Sequence, residues 1–394
     1  MRVLMVSWEF PPLVVGGLSA HVHGLSKAMA AAGHEVVVLT RSHPDAPDDS
    51  FVEPGLRVLR AHTDLPWLPA ENFVAQVASA NHQLTKLVAA LGDWRPQIVH
   101  AHDWLGVWTG DTLQTIWNVP LIATVHATER GRHQGHLPNA NSEGINACEW
   151  WLTYQSRRVI CCSQFMVDQV LTSFQLPVDK VDMVPNGVDA SSWKPTPRTA
   201  PLPPALDRRD GPVIVSWGRI EYEKGFQTLI DAMPAIAAQI PGAHAVIVGR
   251  GSYASELQRQ AQSRGLEGLV HFAGFVSDDD LRSLLNRAGC AVLPSLYEPF
   301  GIVALEAMAA GAPVVAAASG GLQEVLAGTD AGLLFPPNNP DGLARAAVRM
   351  LADPSVAERS RRNAERLLAT RYHWSVIAEE TLKVYERVLD PAIA

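Results

Sequence analysis

The chain has 394 residues, 47% of them hydrophobic, with a formal net charge of −8 and a sequence pI near 6.0. This length is long for one hydrophobic core and predicts two domains. The composition excludes large-scale disorder, and the acidic balance without any basic block argues against nucleic acid as a partner.

The opening run MRVLMVSW reads as a short strand and lacks the apolar core of a signal peptide, and no apolar run of membrane-spanning length occurs. Strand-like runs follow at 35–40, 56–60, 98–101, 121–125, 159–161 and 181–184, with amphipathic stretches such as 18–32 and 73–91 between them. Alternation of this kind implies parallel strands with crossover helices on both faces. Residues 194–212, KPTPRTAPLPPALDRRDGP, are proline-rich without a hydrophobic period and read as a linker. The βα rhythm then restarts, with strands expected at 213–217, 243–248, 270–275, 290–293, 313–317 and 332–335. The predicted organisation is therefore a first doubly wound domain over 1–194, a linker over 195–212, a second over 213–373 and a closing segment over 374–394. That segment carries a helix from Trp374 to Leu389, and the pattern leaves open which domain it packs on, the first being one choice. The arginines at 359, 361, 362 and 366 alternate with Glu358 and Glu365 and read as a solvated helix face. Cys148, Cys161, Cys162 and Cys290 form no CxxC pair and read as reduced thiols of a cytoplasmic protein.

Several motifs fall at the expected C-terminal ends of strands, the edge where open α/β sheets bind ligands. After the first strand, WEFPPLVVGGL sets Gly16 and Gly17 before a helix, where glycine permits close backbone approach and a helix start favours anions. This is no GxGxxG fingerprint, so a nicotinamide dinucleotide has little support. VHAHDW places His100 and His102 on one face of a strand with Asp103 after them. A metal site there lacks a third ligand at fixed spacing, and none is expected. His126 ends the next strand and reads equally as a cleft residue or a structural one. VSWGRIEYEKG puts Arg219 and Lys224 on the loop after a strand, two cations suited to a diphosphate, although Glu221 and Glu223 are available to neutralise them in solvent. SLYEPFGIVALEAMAAGAPVV places Glu298 on a loop and Glu306 in the following helix, a pattern suited to a polyol joined to a phosphate. Trp8, Trp104, Trp217 and Tyr297 lie near the same edges and can stack on sugar rings or simply pack. No GxSxG or GK[ST] sequence supports a serine hydrolase or a P-loop enzyme.

In order, these motifs resemble the family 4 retaining glycosyltransferases of the GT-B fold, over essentially the whole chain. The runs MRVLMVSWEFPPLVVGGL, HAHDWL and HATERGRHQG look most like the actinobacterial glycogen synthase-like α-1,4-glucosyltransferases of glycogen or methylglucose polysaccharide synthesis. The resemblance implies an α/β protein with two Rossmann-like domains facing a cleft. It implies that the Gly16–Gly17 backbone approaches the donor diphosphate and sugar, and that Arg219 and Lys224 neutralise the leaving diphosphate. His126 is expected to contact the transferred sugar, Asp103 to lie beside sugar and acceptor, and Glu298 to face the sugar. The amides of Phe300, Gly301, Ile302 and Val303 are expected near sugar and phosphate, Glu306 to accept the ribose hydroxyls, and Asn186–Gly187 to form the turn leaving the first domain. Many bacterial glycogen synthases carry a lysine two positions before the paired glycines, where this chain has Val14. The donor therefore cannot be copied from them.

The expected activity is transfer of glucose from a nucleotide-glucose, UDP- or ADP-linked, to an α-1,4-glucan with retention and without a cofactor or metal. The partners are a nucleotide-sugar donor and an oligo- or polysaccharide acceptor, with no nucleic acid and no transmembrane segment. The donor base, the hexose, the acceptor and the oligomeric state are not written in the motifs. Alternatives are a mannosyl- or other hexosyltransferase on a lipid or small acceptor, a nucleotide-sugar epimerase sharing the fold, and a non-catalytic sugar-binding protein.

Overall fold

The computed structural model describes residues 1–63, 68, 71–194 and 211–390. The chain divides into two compact units, Met1–Gly187 with Trp374–Ala394, and Val188–His373.

The sheet of the first unit contains β1 (Arg2–Val6), β2 (Glu35–Arg41), β3 (Asp49–Glu53), β4 (Leu56–Ala61), β5 (Ile98–His102), β6 (Leu121–Val125), β7 (Arg158–Cys161) and β8 (Val181–Met183). Their order is β3-β4-β2-β1-β5-β6-β7-β8, and every pair is parallel except β3–β4. The central strands are buried on both faces, which is why β5 and β6 have no exposed residue. From β1 the chain winds to β2 on one side and later to β5 on the other. The β1/β5 boundary is thus the topological switch point, where the crossovers diverge and leave a crevice beyond the strand ends.

The second unit repeats this plan with β9 (Val213–Trp217), β10 (His244–Val248), β11 (Val270–Gly274), β12 (Cys290–Leu293), β13 (Val314–Ala317) and β14 (Gly332–Phe335). The order β11-β10-β9-β12-β13-β14 puts its switch point between β9 and β12. The core includes Ile214, Phe226, Leu229, Ile247, Val292 and Leu343, all buried.

Two expectations change, and one left open is answered. The edge strand β3, sequence DSFVE, is antiparallel and largely exposed, so it carries no apolar run to announce it. The first unit ends at Gly187 rather than at 194, because Val188 bridges to His373 and donates its N–H to Tyr372 O at 2.8 Å. Chain entry and exit of the second unit are thereby tied together. The expected 195–212 linker lies outside the described residues except for its last two. The closing helix Trp374–Leu389 belongs to the first unit, where Trp374, Ile377, Val384 and Tyr385 join the core of the helix Gly17–Ala31 and β1. Gly24 and Gly187 make room for it: a Cβ on Gly24 would lie 2.0 Å from Trp374 Cε2, and one on Gly187 2.8 Å from Trp374 Cδ2. Among the described residues no helix is long and apolar enough to cross a membrane.

Candidate active site

In the second unit the switch point carries both charged motifs. Arg219 and Lys224 follow β9, and Glu298 follows β12. The β9 loop closes in a short 3₁₀ turn, Tyr222–Lys224, ending at Gly225 with φ +70. A Cβ at Gly225 would meet Pro294 O at 1.9 Å, so only glycine lets this loop lie against the β12 exit. Leu296 N–H donates to Glu223 O at 2.8 Å and fastens the two loops together. Lys224 Nζ then reaches Glu298 Oε2 at 2.8 Å, with Ser295 Oγ 3.3 Å from the same oxygen. The alternative of neutralisation by sequence neighbours fails for Lys224, whose partner comes from the other side of the switch point. For Arg219 it holds only loosely, Glu223 lying 3.9 Å away and the guanidinium remaining 48% exposed. This loop therefore offers one fixed and one available cation.

Gly301, with φ +98, precedes the helix Ile302–Ala309. A Cβ there would press on Leu322 Cδ2 at 2.5 Å. Phe300 is buried and meets Tyr372 edge-on at 5.8 Å, so the turn is anchored from below. Ile302 and Val303 open the helix, where backbone N–H groups lack intrahelical acceptors. Glu306, on the next turn, has Trp217 Nε1 3.4 Å from Oε2. Burial pushes its carboxyl up from 4.5 to about 7, against the lowering effect of Trp217. A carboxylate with spare acceptor capacity in a desolvated place suits hydroxyl donors.

In the first unit, β5 runs into Asp103, the next residue, held at φ +60, a conformation rare outside glycine. Its Oδ1 accepts the His126 backbone N–H at 2.7 Å, and the Ala127 amide also bonds the carboxyl. Burial nevertheless raises this carboxyl from 3.8 to about 6. Asp103 thus fastens the β6 exit that carries His126, a task at odds with an acceptor already free for ligand. The His126 ring is half-buried, and burial lowers its pKa to about 3, so it is a neutral imidazole. It stands edge-on to His21, with ring centroids 4.5 Å apart, and its Nε2 is 3.4 Å from His102 Nδ1. His100, below, is saturated by Tyr385 OH and Thr124 Oγ1, each at 2.7 Å.

At the β1 exit, the Gly16 backbone is extended (φ −163), and a Cβ there would meet nothing within 4 Å. Glycine at this position is therefore not demanded by positive φ, and what it preserves is open space above the turn. The buried Glu9 carboxylate accepts the amides of Val15 at 2.5 Å and Gly16 at 3.0 Å. An internal anion thus sits on the amide where a donor phosphate was expected. Asn186 bonds His21 Nδ1 at 2.7 Å, so the expected exit turn also orients a ring.

Sequence reasoning missed Glu9, His21, Glu129 and Glu149. His21 lies inside a helix whose pattern marks it only as one more buried position. Glu149 accepts the Glu129 N–H at 2.8 Å, and Ser142 Oγ donates to Glu129 Oε1 at 2.7 Å, bracing the loop after His126. Burial raises Glu149 to about 8. The packing roles of Trp104 and Trp217, both buried, are plain, whereas Trp8 is half-buried with Arg41 4.0 Å over its ring.

Two Rossmann-like sheets with ligand-type residues at each switch point define the GT-B class of glycosyltransferases. Residues 15–192 match the model of Glycosyltransferase Family 4, and residues 203–367 that of Glycosyl transferases group 1. The chain is 39% identical over 401 residues to a glycogen synthase of Mycobacterium tuberculosis, covering 98% of this chain and 94% of that protein. It is 31% identical over 398 residues to a phosphatidyl-myo-inositol mannosyltransferase of Mycolicibacterium smegmatis, covering 98% and 94%. Among solved structures, a sucrose-phosphate synthase of Thermosynechococcus elongatus superimposes with a TM-score of 0.81 at 28% identity, covering 98% of each chain. The chain belongs to glycosyltransferase family 4 and is a hexosyltransferase of the glycogen synthase-like group.

Proposed function

We propose that the protein transfers glucose, with retention of configuration, from a nucleotide-glucose to the growing end of an α-1,4-glucan. The observation that carries this reading is the second unit's switch point. There a fixed lysine, a more exposed arginine, helix-start amides and the half-buried Glu306 supply, in order, what a nucleoside diphosphate requires. The similarity to a mycobacterial glycogen synthase supports glucose and a glucan over mannose and a lipid, since the identity to the mannosyltransferase is lower.

In this reading, departure of the nucleotide diphosphate builds negative charge that Arg219 and Lys224 stabilise, and preorganised charge of this kind is often the largest catalytic contribution. Glu298 holds Lys224 in place and faces the sugar. Glu306 takes the ribose hydroxyls, and the amides of Phe300, Gly301, Ile302 and Val303 receive phosphate and sugar oxygens. His126, neutral, hydrogen-bonds a hydroxyl of the transferred sugar, and Asp103 is the positioning residue behind it. The anomeric carbon acquires oxocarbenium character, and front-face attack lets the departing phosphate take the acceptor's proton. These residues need no bound metal or organic cofactor for that chemistry.

The test is nucleotide release from UDP-, ADP- and GDP-sugars with and without maltooligosaccharide or glycogen. Acceptor-dependent release from one nucleotide-glucose supports the proposal. Acceptor-independent conversion of the donor would make the protein an epimerase. Binding without turnover would make it a sugar-nucleotide-binding protein.

A further inference from the structure

The first unit holds a cluster of three imidazoles, of which the proposed transfer uses only His126. His21, His102 and His126 each bring one ring nitrogen within 4.8 Å of the other two. His21 and His102 are buried, and the Nε2 atom of each has no hydrogen-bond partner. A buried polar atom left unpaired costs free energy comparable to a lost hydrogen bond, and an ion held through His21 Nε2 would give that atom a partner. We infer that His21, His102 and His126 form a binding site for a borderline-soft divalent cation of the Zn²⁺ class, and that its occupancy inhibits the enzyme.

The ring chemistry fits a metal better than another proton. His21 Nδ1 lies 2.7 Å from Asn186 Oδ1, an atom that only accepts, so Nδ1 carries the hydrogen and Nε2 keeps its lone pair. Orientation of a ligand imidazole by a hydrogen bond from its other nitrogen is the usual arrangement behind a metal site. His102 Nδ1 and His126 Nε2 are 3.4 Å apart. Two nitrogens at that spacing can each stand ~2.1 Å from one ion at an angle of about 110°, the tetrahedral value. A side-chain adjustment of His21 completes three nitrogen ligands and leaves one position for water, an open zinc geometry. The His100 ring lies tilted against His102, with centroids 4.1 Å apart, but spends both nitrogens on Tyr385 and Thr124, which limits the set to three. With no carboxylate among the ligands, the site discriminates against Mg²⁺ and Ca²⁺, which take oxygen.

The inhibitory part rests on the proposed role of His126. An ion on its ring nitrogen removes that nitrogen from the sugar hydroxyl, so occupancy and transfer compete.

The test is titration of the full-length, chelator-stripped protein with Zn²⁺ by calorimetry and with Co²⁺ by visible absorption, each beside Mg²⁺. The expected result is one ion per chain, the intense d–d bands of tetrahedral Co²⁺, no response to Mg²⁺, and at least a hundredfold weaker Zn²⁺ binding in both His21→Gln and His102→Gln. Thermal melting of each variant separates loss of a ligand from loss of fold. The Co²⁺ spectrum of the wild type keeps the test decisive should both variants unfold. Absence of saturable binding, an octahedral Co²⁺ spectrum, or folded variants that bind like the wild type would overturn the site. Half-inhibition of turnover at the Zn²⁺ concentration that half-fills the site supports the competition. Full occupancy without inhibition would overturn it and remove His126 from sugar handling, while leaving the ion site standing. A protein inactive with every donor would defeat the transferase proposal without touching the titration.

Discussion

Replacing Glu306 by Gln is expected to stabilise the protein at alkaline pH while weakening its hold on nucleotide. Burial raises this carboxyl from the ordinary 4.5 to about 7. The folded protein therefore binds the proton more tightly than the unfolded chain does. Stability from this group is fully present below pH 4.5 and is lost as pH rises through about 7. At about 1.4 kcal/mol per pH unit between the two values, the upper bound is roughly 3 kcal/mol. Partial solvent access reduces this to about 1–2 kcal/mol. Glutamine, close in shape and never charged, escapes the penalty. A unit of this size shifts its midpoint by roughly 2–4 °C per kcal/mol. The variant should thus melt about 2–8 °C above the wild type at pH 8 and level with it at pH 4.5, in scans of the two proteins side by side. Nucleotide affinity should fall about tenfold, since a neutral amide accepts hydroxyl hydrogen bonds more weakly than a carboxylate. Equal melting temperatures at pH 8 would refute the reasoning, because the carboxylate would then be solvated and no better placed for ribose than any surface glutamate.

Nucleotide binding to the wild type at pH 6.5 should release protons, because ribose hydroxyls favour the ionised form of Glu306; calorimetry in buffers of different ionisation enthalpy reads this, and proton uptake would contradict it. Lys224→Met should lower kcat by about 10²–10³ with the fold retained, and wild-type turnover would end the leaving-group role. Gly24→Ala should cost about 1–3 kcal/mol, seen in urea unfolding, because its Cβ meets the Trp374 indole at 2.0 Å; an unchanged midpoint would mean that the closing helix is not docked there. Asp103→Ala should lose activity more than Asp103→Asn does, since Asn keeps an oxygen that can still accept the His126 amide and Ala keeps none. Equal loss in both would point to direct contact of the carboxylate with substrate.

Both βα rhythms were legible in the sequence because buried parallel strands are continuous apolar runs, and 98–101, 121–125 and 290–293 are examples. The exposed edge strand Asp49–Glu53 buries too little to leave such a trace. The unit boundary escaped for a different reason: the bridge from Val188 to His373 joins positions nearly two hundred residues apart, and no local pattern encodes it. Charged motifs were visible as residue types, but their partners were not. Lys224 has Glu221 and Glu223 close by in sequence, yet bonds Glu298 across the switch point. His21 and Asn186 are likewise far apart in the chain and meet only through the packing of the helix Gly17–Ala31 and the closing helix against the sheet. Glu9, a single carboxylate in the run WEFPP, gave no sign that it would cap the glycine turn.

The most direct test of the glucan synthase reading is proton NMR of the product formed from maltooligosaccharide and the nucleotide-glucose that supports turnover. The account predicts chains lengthened by glucose through new α-1,4 linkages. A β-anomeric product, or nucleotide release that leaves maltooligosaccharide unchanged while another acceptor is glycosylated, would contradict it.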